Sequence, residues 1–544
     1  MSERIPADYA SLCRLAVEAV AAKAREMKDP AADERVRRRG AHAAYGGVCT
    51  LAMAYFDPAS PARGEEAVAG RLERAMQLLE AAQHDDGLID LWVSNFHSPP
   101  DTAFMAEELV PLYEVLRDQC PASAAREGLL KRLERVIVRA CDGIAAGGVH
   151  TPNHRWKVAS ALTLADCIWP HDSWRREAQE YLAEGIDIDA DGEFTERSTG
   201  CYNYVCDRAM ILLARATGRG EYAGYADRNL EHMLYLLHAD RTLVTSYSRR
   251  QDRDQVVGLE MYFLLYWYRA LMAGHGLFWS AAELCLRRLA ASGTGALAPL
   301  AKWLRYFREA GERTPPRPEP LPEEYEKKFD AVGILRRRSG RMSLTLMAGS
   351  GDILSVRFGA GPEIGLRVAA AFAPRGQFLA EEIAGRDGRY QLRSHHPCEY
   401  YGPGPDPLPA VDWLLRPTFS RRVFVATELT MTLEIEVCDE GLRLRLRSEG
   451  CPHVPVEVAF LVRLAEEVTA SGRLEEDEKT GKHFCGSGEV VARGADYVVR
   501  IGPGAAEHDL SEMSTGQRYP TGNAYCLRYV TPVAVELTIQ AEGR

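Results

Sequence analysis

Residues 312–328 read ERTPPRPEPLPEEYEKK, and apolar residues recur at different intervals on either side of this stretch. Before it, segments such as YASLCRLAVEAVAAKA (9–24), EEAVAGRLERAMQLLEAA (65–82), EGLLKRLERVIVRACDGI (127–144) and AAELCLRRLAASG (281–293) repeat apolar positions every three or four residues. That is the period of a helix with one buried stripe. After it, RMSLTLMA (341–348), DILSVRFG (352–359), RRVFVATELTMTLEIEVC (421–438), GLRLRLRS (441–448), VPVEVAFLVRL (454–464), EVVARGADYVVRIG (489–502) and VAVELTIQA (533–541) approach alternation, the period of a strand with one buried face. A chain that switches period once, across a Pro- and charge-rich stretch, cannot share one core between its halves. We expect a helical domain over 1–310, a semi-rigid linker over 311–328 and an antiparallel β-sandwich over 329–544. At 544 residues the chain is long enough for two cores. No fixed-length repeat is visible in the helical half, whose short loops suit an antiparallel toroid as well as a solenoid.

Net charge is −11, which argues against a general nucleic-acid binder. No run of about 20 apolar residues predicts a membrane span. The N-terminal residues are charged throughout and lack a signal-peptide pattern, so a cytoplasmic protein is expected. The 13 cysteines form no C-x-x-C pair, and Cys201 and Cys206 read as small helix side chains, not as metal ligands.

Polar residues that recognise sugars or carboxylates concentrate at loop–helix junctions. SNFHSPPDTAF (94–104) carries Asn95 and His97 before Asp101, whose ordinary use is an N-cap. TPNHRWKVAS (151–160) sets Asn153, His154, Arg155 and Trp156 side by side after a proline. Asn153 alone could cap a helix and Trp156 alone could be core, but four such residues together read as a site. DADGEFTERSTGCYNYVCDRA (189–209) offers Glu196, Tyr202 and Tyr204, with Ser198 or Thr199 as a cap. Its Asp-x-Asp-Gly fragment lacks the rest of a calcium loop. Two residues apart on a helix, Tyr202 and Tyr204 face different ways. TSYSRRQDRDQ (245–255) brings Arg249, Arg250 and Gln251, a donor set suited to carboxylates and hydroxyls. In the sandwich half, SHHPCEYYGPGP (394–405) groups His395, His396 and Tyr400 in a stretch that reads as a loop reaching the toroid.

Asn, His, Tyr and Arg together suit β-elimination at a uronic acid. There the carboxylate is neutralised, a base removes the C5 proton, and an acid protonates the departing oxygen. Glycoside hydrolysis instead needs two carboxyl groups, which Asp101, Asp191, Glu196 and Asp252 can supply in pairs. A glycan-binding protein would keep the aromatic and Arg contacts without either chemistry.

At this point the chain resembles the heparinase II/III-like polysaccharide lyases, which carry an (α/α) toroid followed by a β-sandwich. The resemblance covers nearly the whole chain as architecture and short pieces as motif. It implies that Asn153 neutralises the carboxylate and His154 assists proton transfer. DGEFTERSTGCY (191–202) matches the family stretch in order and spacing, which implies Tyr202, not Tyr204, as the acid/base. NFHSPPDTAF (95–104) and SRRQD (248–252) look like features of a subgroup of bacterial relatives. A family Gly-His-x-Asp segment corresponds here to AGSGDILSVRF (348–358), which has no His, so that role passes to His395 or His396 or is absent.

The expectation is therefore a lyase acting on a uronic-acid-containing oligosaccharide inside the cell, endo or exo, with a glycoside hydrolase on the same toroid or a non-catalytic glycan-binding protein as the alternatives. Asn153, His154 and Tyr202 are its catalytic residues. Asn95, His97, Asp101, Arg155, Trp156, Glu196, Tyr204, Arg249, Arg250, Gln251, His395, His396 and Tyr400 line its substrate site, with Trp156 offering a stacking face. No cofactor is required, although a structural divalent cation in the sandwich or at the domain interface is allowed. Neither nucleic acid nor membrane is a partner, and a homo-oligomer is compatible with the sequence.

Overall fold

A computed structural model describes residues 8–28, 40–403, 421–516 and 523–544. The chain divides into two compact units, one of residues 1–234 and 248–321, the other of residues 235–247 and 322–544.

In the first unit, helices Ala41–Phe56, Pro99–Gln119, Pro152–Asp166, Tyr202–Thr217 and Phe263–Ala273 pack each on the next. Each is followed by a partner that packs against it: Glu66–Ala82, Ala124–Ala145, Asp172–Ala183, Gly220–Leu234 and Gly276–Ala291. Leu300–Tyr306 packs back on Ala41–Phe56 and Pro99–Gln119, and Tyr9–Glu26 lies against Ala41–Phe56 and Leu300–Tyr306. The first members thus make an inner ring, the toroid rather than the solenoid. Sequence explains the two layers. The outer helix Ala124–Ala145 buries Leu129, Leu133, Val136, Ile137 and Ala140 on one stripe. The inner helix Pro152–Asp166 is buried nearly all round, polar Asn153, Lys157 and Ser160 included. Such a helix needs partners on every side, and its polar groups need them most.

Two sheets make the second unit. Among the described residues one runs in the order 467–470, 490–493, 497–502, 534–543, 441–450, 423–438, 389–401, 383–386. The other runs 474–477, 482–485, 524–530, 455–463, 363–370, 354–358, 342–347, 334–339, 325–329. Pairing is antiparallel except between 482–485 and 524–530, which run parallel. Leu429, Met431, Leu433 and Ile435 alternate into the core against Leu344, Val356, Leu366 and Val458.

Three sequence expectations differ from what is found. Residues 325–328, placed in the linker, begin a strand paired with 334–339. The region 394–401, read as a loop, is the end of the strand Arg389–Tyr401; residues 404 and 405 lie outside the described residues. Residues 235–247, placed in the helical domain, group with the sheets. The physical reason is Arg336, whose side chain is wholly buried. It donates to the carbonyls of Tyr235 (3.1 Å) and Leu237 (3.3 Å), to the Leu344 carbonyl, and to Ser343 Oγ and Thr345 Oγ1.

Candidate functional site

The site forms where inner helices of the first unit begin. Thr151 is the N-cap of the Pro152–Asp166 helix and Pro152 its first residue, where a fixed φ and a missing N–H cost nothing. Asn153 is therefore not the cap. It is fully buried, and its Nδ2 donates to Glu196 Oε2 at 2.6 Å while its backbone N–H reaches the same oxygen at 3.2 Å. Glu196 Oε1 lies 3.2 Å from Arg250 Nε. The Arg250 guanidinium sits over the Tyr202 ring at 4.8 Å, and Gln251 Nε2 donates to the Tyr202 hydroxyl at 2.5 Å. Asn153, Glu196, Arg250, Tyr202 and Gln251 thus form one connected series drawn from three separate segments. Burial works against the charge on Arg250, but the Tyr202 hydroxyl and the Glu196 carboxylate outweigh it and raise its pKa.

His154 follows Asn153 and meets Phe104 edge-on at 6.3 Å and His150 at 4.9 Å. Burial, reinforced by His150 and Arg250 and opposed by Asp101, holds its pKa at about 4. It is neutral near pH 7, able to accept a proton. Its Nδ1 and the Oδ1 of Asn153 are buried with no hydrogen-bond partner.

Asp101 is not the cap of its helix. Ser98 is, with its Oγ accepting the Asp101 N–H at 3.3 Å. Asp101 Oδ2 accepts from Ser98 Oγ (2.6 Å) and Asn95 Nδ2 (2.9 Å), and Oδ1 faces His42 Nε2 at 3.5 Å. Burial raises its pKa, but these three donors more than cancel that and lower it. Asn95 lies on a short hairpin, Ile89–Leu91 with Asn95–Ser98, that the sequence reading took for a loop. His97 is exposed on that hairpin in a left-handed conformation (φ 46°). It bonds Asp86 at 2.6 Å and stacks on His84 at 3.9 Å, so it serves the base of the hairpin.

Several expected contact residues do other work. Trp156 is wholly buried, donates to Asp187 at 2.8 Å and lies under Arg155 at 4.4 Å, so it offers no stacking face to a sugar. Arg155 is held by Glu184 (2.9 Å) and Asp187 (3.5 Å). Tyr204 turns away from Tyr202, as helical geometry requires, and lines a 450 Å³ cavity with Tyr45, Glu108, Arg208 and Lys302. Arg249 is exposed beside Arg250. His395, His396 and Tyr400 belong to the second unit. His396 is buried against Ser394 at 2.8 Å, His395 bonds Thr430 at 3.0 Å, and Tyr400 is exposed.

Three of the four carboxylates proposed for hydrolysis are held as acceptors. Asp101 and Glu196 are bound as described, and Asp252 accepts from Ser198, Ser248 and Gly200. Asp189 Oδ1 closes a turn by accepting the N–H groups of Asp191 and Glu193. Among the described residues no three His, Cys, Asp or Glu side chains group so as to hold a metal, and no helix is long and apolar enough to cross a membrane.

Two features escaped the sequence reading. His42 gains meaning only from Asp101, and nothing in its own Ala-rich surroundings marks it. Beneath the site Glu107 is wholly buried and held by Lys157, Arg208 and Ser160, and Glu108 pairs with Arg208 and Lys302. Burial would raise the Glu108 carboxyl, but Lys302 and Arg208 hold it at about 2. Two acids in an otherwise ordinary helix carry no sequence signal, because their partners lie 50 or more residues away.

Solved structures with the same succession of domains were compared with this one. Chondroitin AC lyase from Streptomyces coelicolor, solved with chondroitin sulphate, superposes with a TM-score of 0.55 at 13% identity, covering 99% of this chain and 80% of that one. Heparan sulfate lyase HepC from Pedobacter heparinus gives 0.50 at 11%, covering 95% and 77%. Xanthan lyase from Paenibacillus gives 0.51 at 10%, with 99% of this chain matching 58% of a longer one. The fold is that of the heparinase-like polysaccharide lyases. At these identities the likeness is one of fold. No protein-family model and no curated protein matches the chain.

Proposed function

We propose that this protein is a carbohydrate-active enzyme that cleaves a uronic-acid-containing oligosaccharide by β-elimination. The observation that carries this reading is the connected series from Asn153 through Glu196 and Arg250 to Tyr202. It sets an amide and a guanidinium beside a phenol, which are the groups that elimination next to a carboxylate requires. Asn153 keeps one Nδ2 hydrogen for the substrate carboxylate, and Arg250 adds positive charge. The C5–H bond breaks, its electrons form the C4–C5 double bond, and the C4–O bond breaks. Tyr202 is the main acid/base and gives the leaving oxygen its proton. Neutral His154 is its partner in receiving the C5 proton. The fold shared with chondroitin AC, heparan sulfate and xanthan lyases supports a glycan substrate.

The test is turnover on a panel of uronic-acid oligosaccharides, followed by the ultraviolet absorbance of the new conjugated double bond. Tyr202→Phe is expected to lower kcat by roughly 100- to 10,000-fold, and Asn153→Ala by about 100-fold or more, with both variants folded. Near-native turnover in both would refute the assignment.

A further inference from the structure

The turn that carries Tyr202 and the loop that carries Arg250 and Gln251 lie some fifty residues apart in sequence, yet the series above requires them in register. Besides the contacts of Arg250 and Gln251 with Tyr202 and Glu196, one buried carboxylate joins their backbones. Asp252, 4% exposed, accepts through Oδ1 from Ser198 Oγ (2.8 Å) and Ser248 Oγ (2.7 Å), and through Oδ2 from the Gly200 N–H (2.9 Å). Both serines are wholly buried, and each passes the connection on. Ser198 Oγ accepts the backbone N–H of Tyr202 at 3.1 Å. Ser248 Oγ accepts the backbone N–H of Arg250 at 3.1 Å. The carboxylate is thus the midpoint of a symmetrical relay, with the amide of one site residue at either end.

Gly200 supplies a second, independent observation. A Cβ built there meets Val257 Cγ2 at 3.0 Å and the Asp252 Cβ and Oδ2 at 3.1 Å. Its φ is not positive, so glycine here serves close packing and not backbone conformation. The two segments close so tightly here that a side chain at position 200 would have to push Val257 and Asp252 back by a few tenths of an ångström.

We propose that Asp252 is a positioning residue that latches the Tyr202 turn to the Arg250–Gln251 loop, so that the phenol, its cationic neighbour and its hydrogen-bond donor are held as one unit. The inference rests on the lyase reading for its kinetic consequence and on geometry alone for the latch. Asp252 touches no reacting atom in this account and acts only through Ser198, Ser248 and Gly200.

Two readouts keep the latch and the lyase reading apart. The first needs no substrate: amide hydrogen exchange of residues 198–203 and 248–253. In Asp252→Asn, whose amide presents an N–H₂ where the Gly200 N–H needs an acceptor, exchange is expected to rise about tenfold in both segments together. Ser198→Ala should free the first segment and Ser248→Ala the second. Gly200→Ala, which removes no polar group, should loosen both by wedging them apart. The second readout is kinetic. Asp252→Asn and Gly200→Ala are expected to lower kcat on the order of 100-fold, as misplacement of about an ångström does, with KM nearly unchanged. Faster exchange in one segment only, or a raised KM at native kcat, would overturn the latch. If the native protein eliminates nothing, the exchange experiment still decides the latch, and the lyase reading alone falls.

Discussion

Asn153 and Trp156 are three residues apart on one helix and do unrelated things. Asn153 faces Glu196, and Trp156 is sealed between Arg155 and Asp187. The sequence grouped them because they are adjacent and both suit a sugar. What separates them is the identity of their partners, Asp187 and Glu196, which lie 31 and 43 residues away and cannot be assigned by local pattern. Tyr202 was legible for a different reason. Its choice over Tyr204 came from the resemblance, through the order and spacing of residues 191–202, and not from any local physical pattern. Glu196 makes the sharpest prediction at this scale. Glu196→Gln keeps an acceptor for Asn153 but removes the charge facing Arg250, which then has less reason to stay over Tyr202. Its kcat is expected to fall on the order of 100-fold with folding retained, measured by steady-state kinetics beside a thermal melt. A kcat within twofold of native would show that Glu196 does not connect the two.

Elements were legible where periodicity was clean and illegible where a special residue interrupted it. The strand Arg389–Tyr401 alternates buried and exposed up to His396, then meets Pro397, which reads as a break because proline cannot donate to a ladder. In the sheet Pro397 stands opposite Glu428, where the partner strand carries an extra residue, and the irregularity there absorbs it. The helix Tyr202–Thr217 holds another feature that periodicity hides. Asp207 is wholly buried and neither carboxyl oxygen has a hydrogen-bond partner. Burial, then the charges of Glu193 and Asp227, raise its pKa well above the usual carboxylate range. A raised carboxyl contributes stability that is fully present below its unfolded value, about 4, and is lost as pH rises through the folded value. Asp207→Asn removes that loss while keeping the shape. The variant's Tm is expected to gain on the native Tm as pH increases from 5 to 8. Melts at several pH values check this, and a constant difference would mean that Asp207 does not stay protonated on folding.

At the scale of the whole molecule, one change of period marked two folded bodies, and the superposed lyases share that succession. The exact partition was not visible, because residues 235–247 have no strand-like run of their own. They join the sheets through Arg336 and through Asp240, which pairs with Arg357 at 2.7 Å, and those are contacts between residues about a hundred apart. A fragment of residues 322–544 would therefore leave Arg336 buried with two donors unmatched, and Arg357 without its carboxylate. Losing the partner of a buried ion pair costs about 3–5 kcal/mol, and losing a hydrogen bond from a charged group about 1.5–3 kcal/mol. The fragment is expected to show no cooperative melt by circular dichroism. Joining residues 235–247 to it through a flexible linker should restore one; equal melts for both would mean that the segment is dispensable.

In the proposed function, bond breaking is elimination. Mass spectrometry of the products of a defined uronic-acid oligosaccharide tests it most directly. Elimination predicts two fragments whose masses add up to that of the substrate, one carrying a double bond, and the loss of both in Tyr202→Phe. Fragments whose masses exceed the substrate by one water would contradict the claim and make the reaction a hydrolysis.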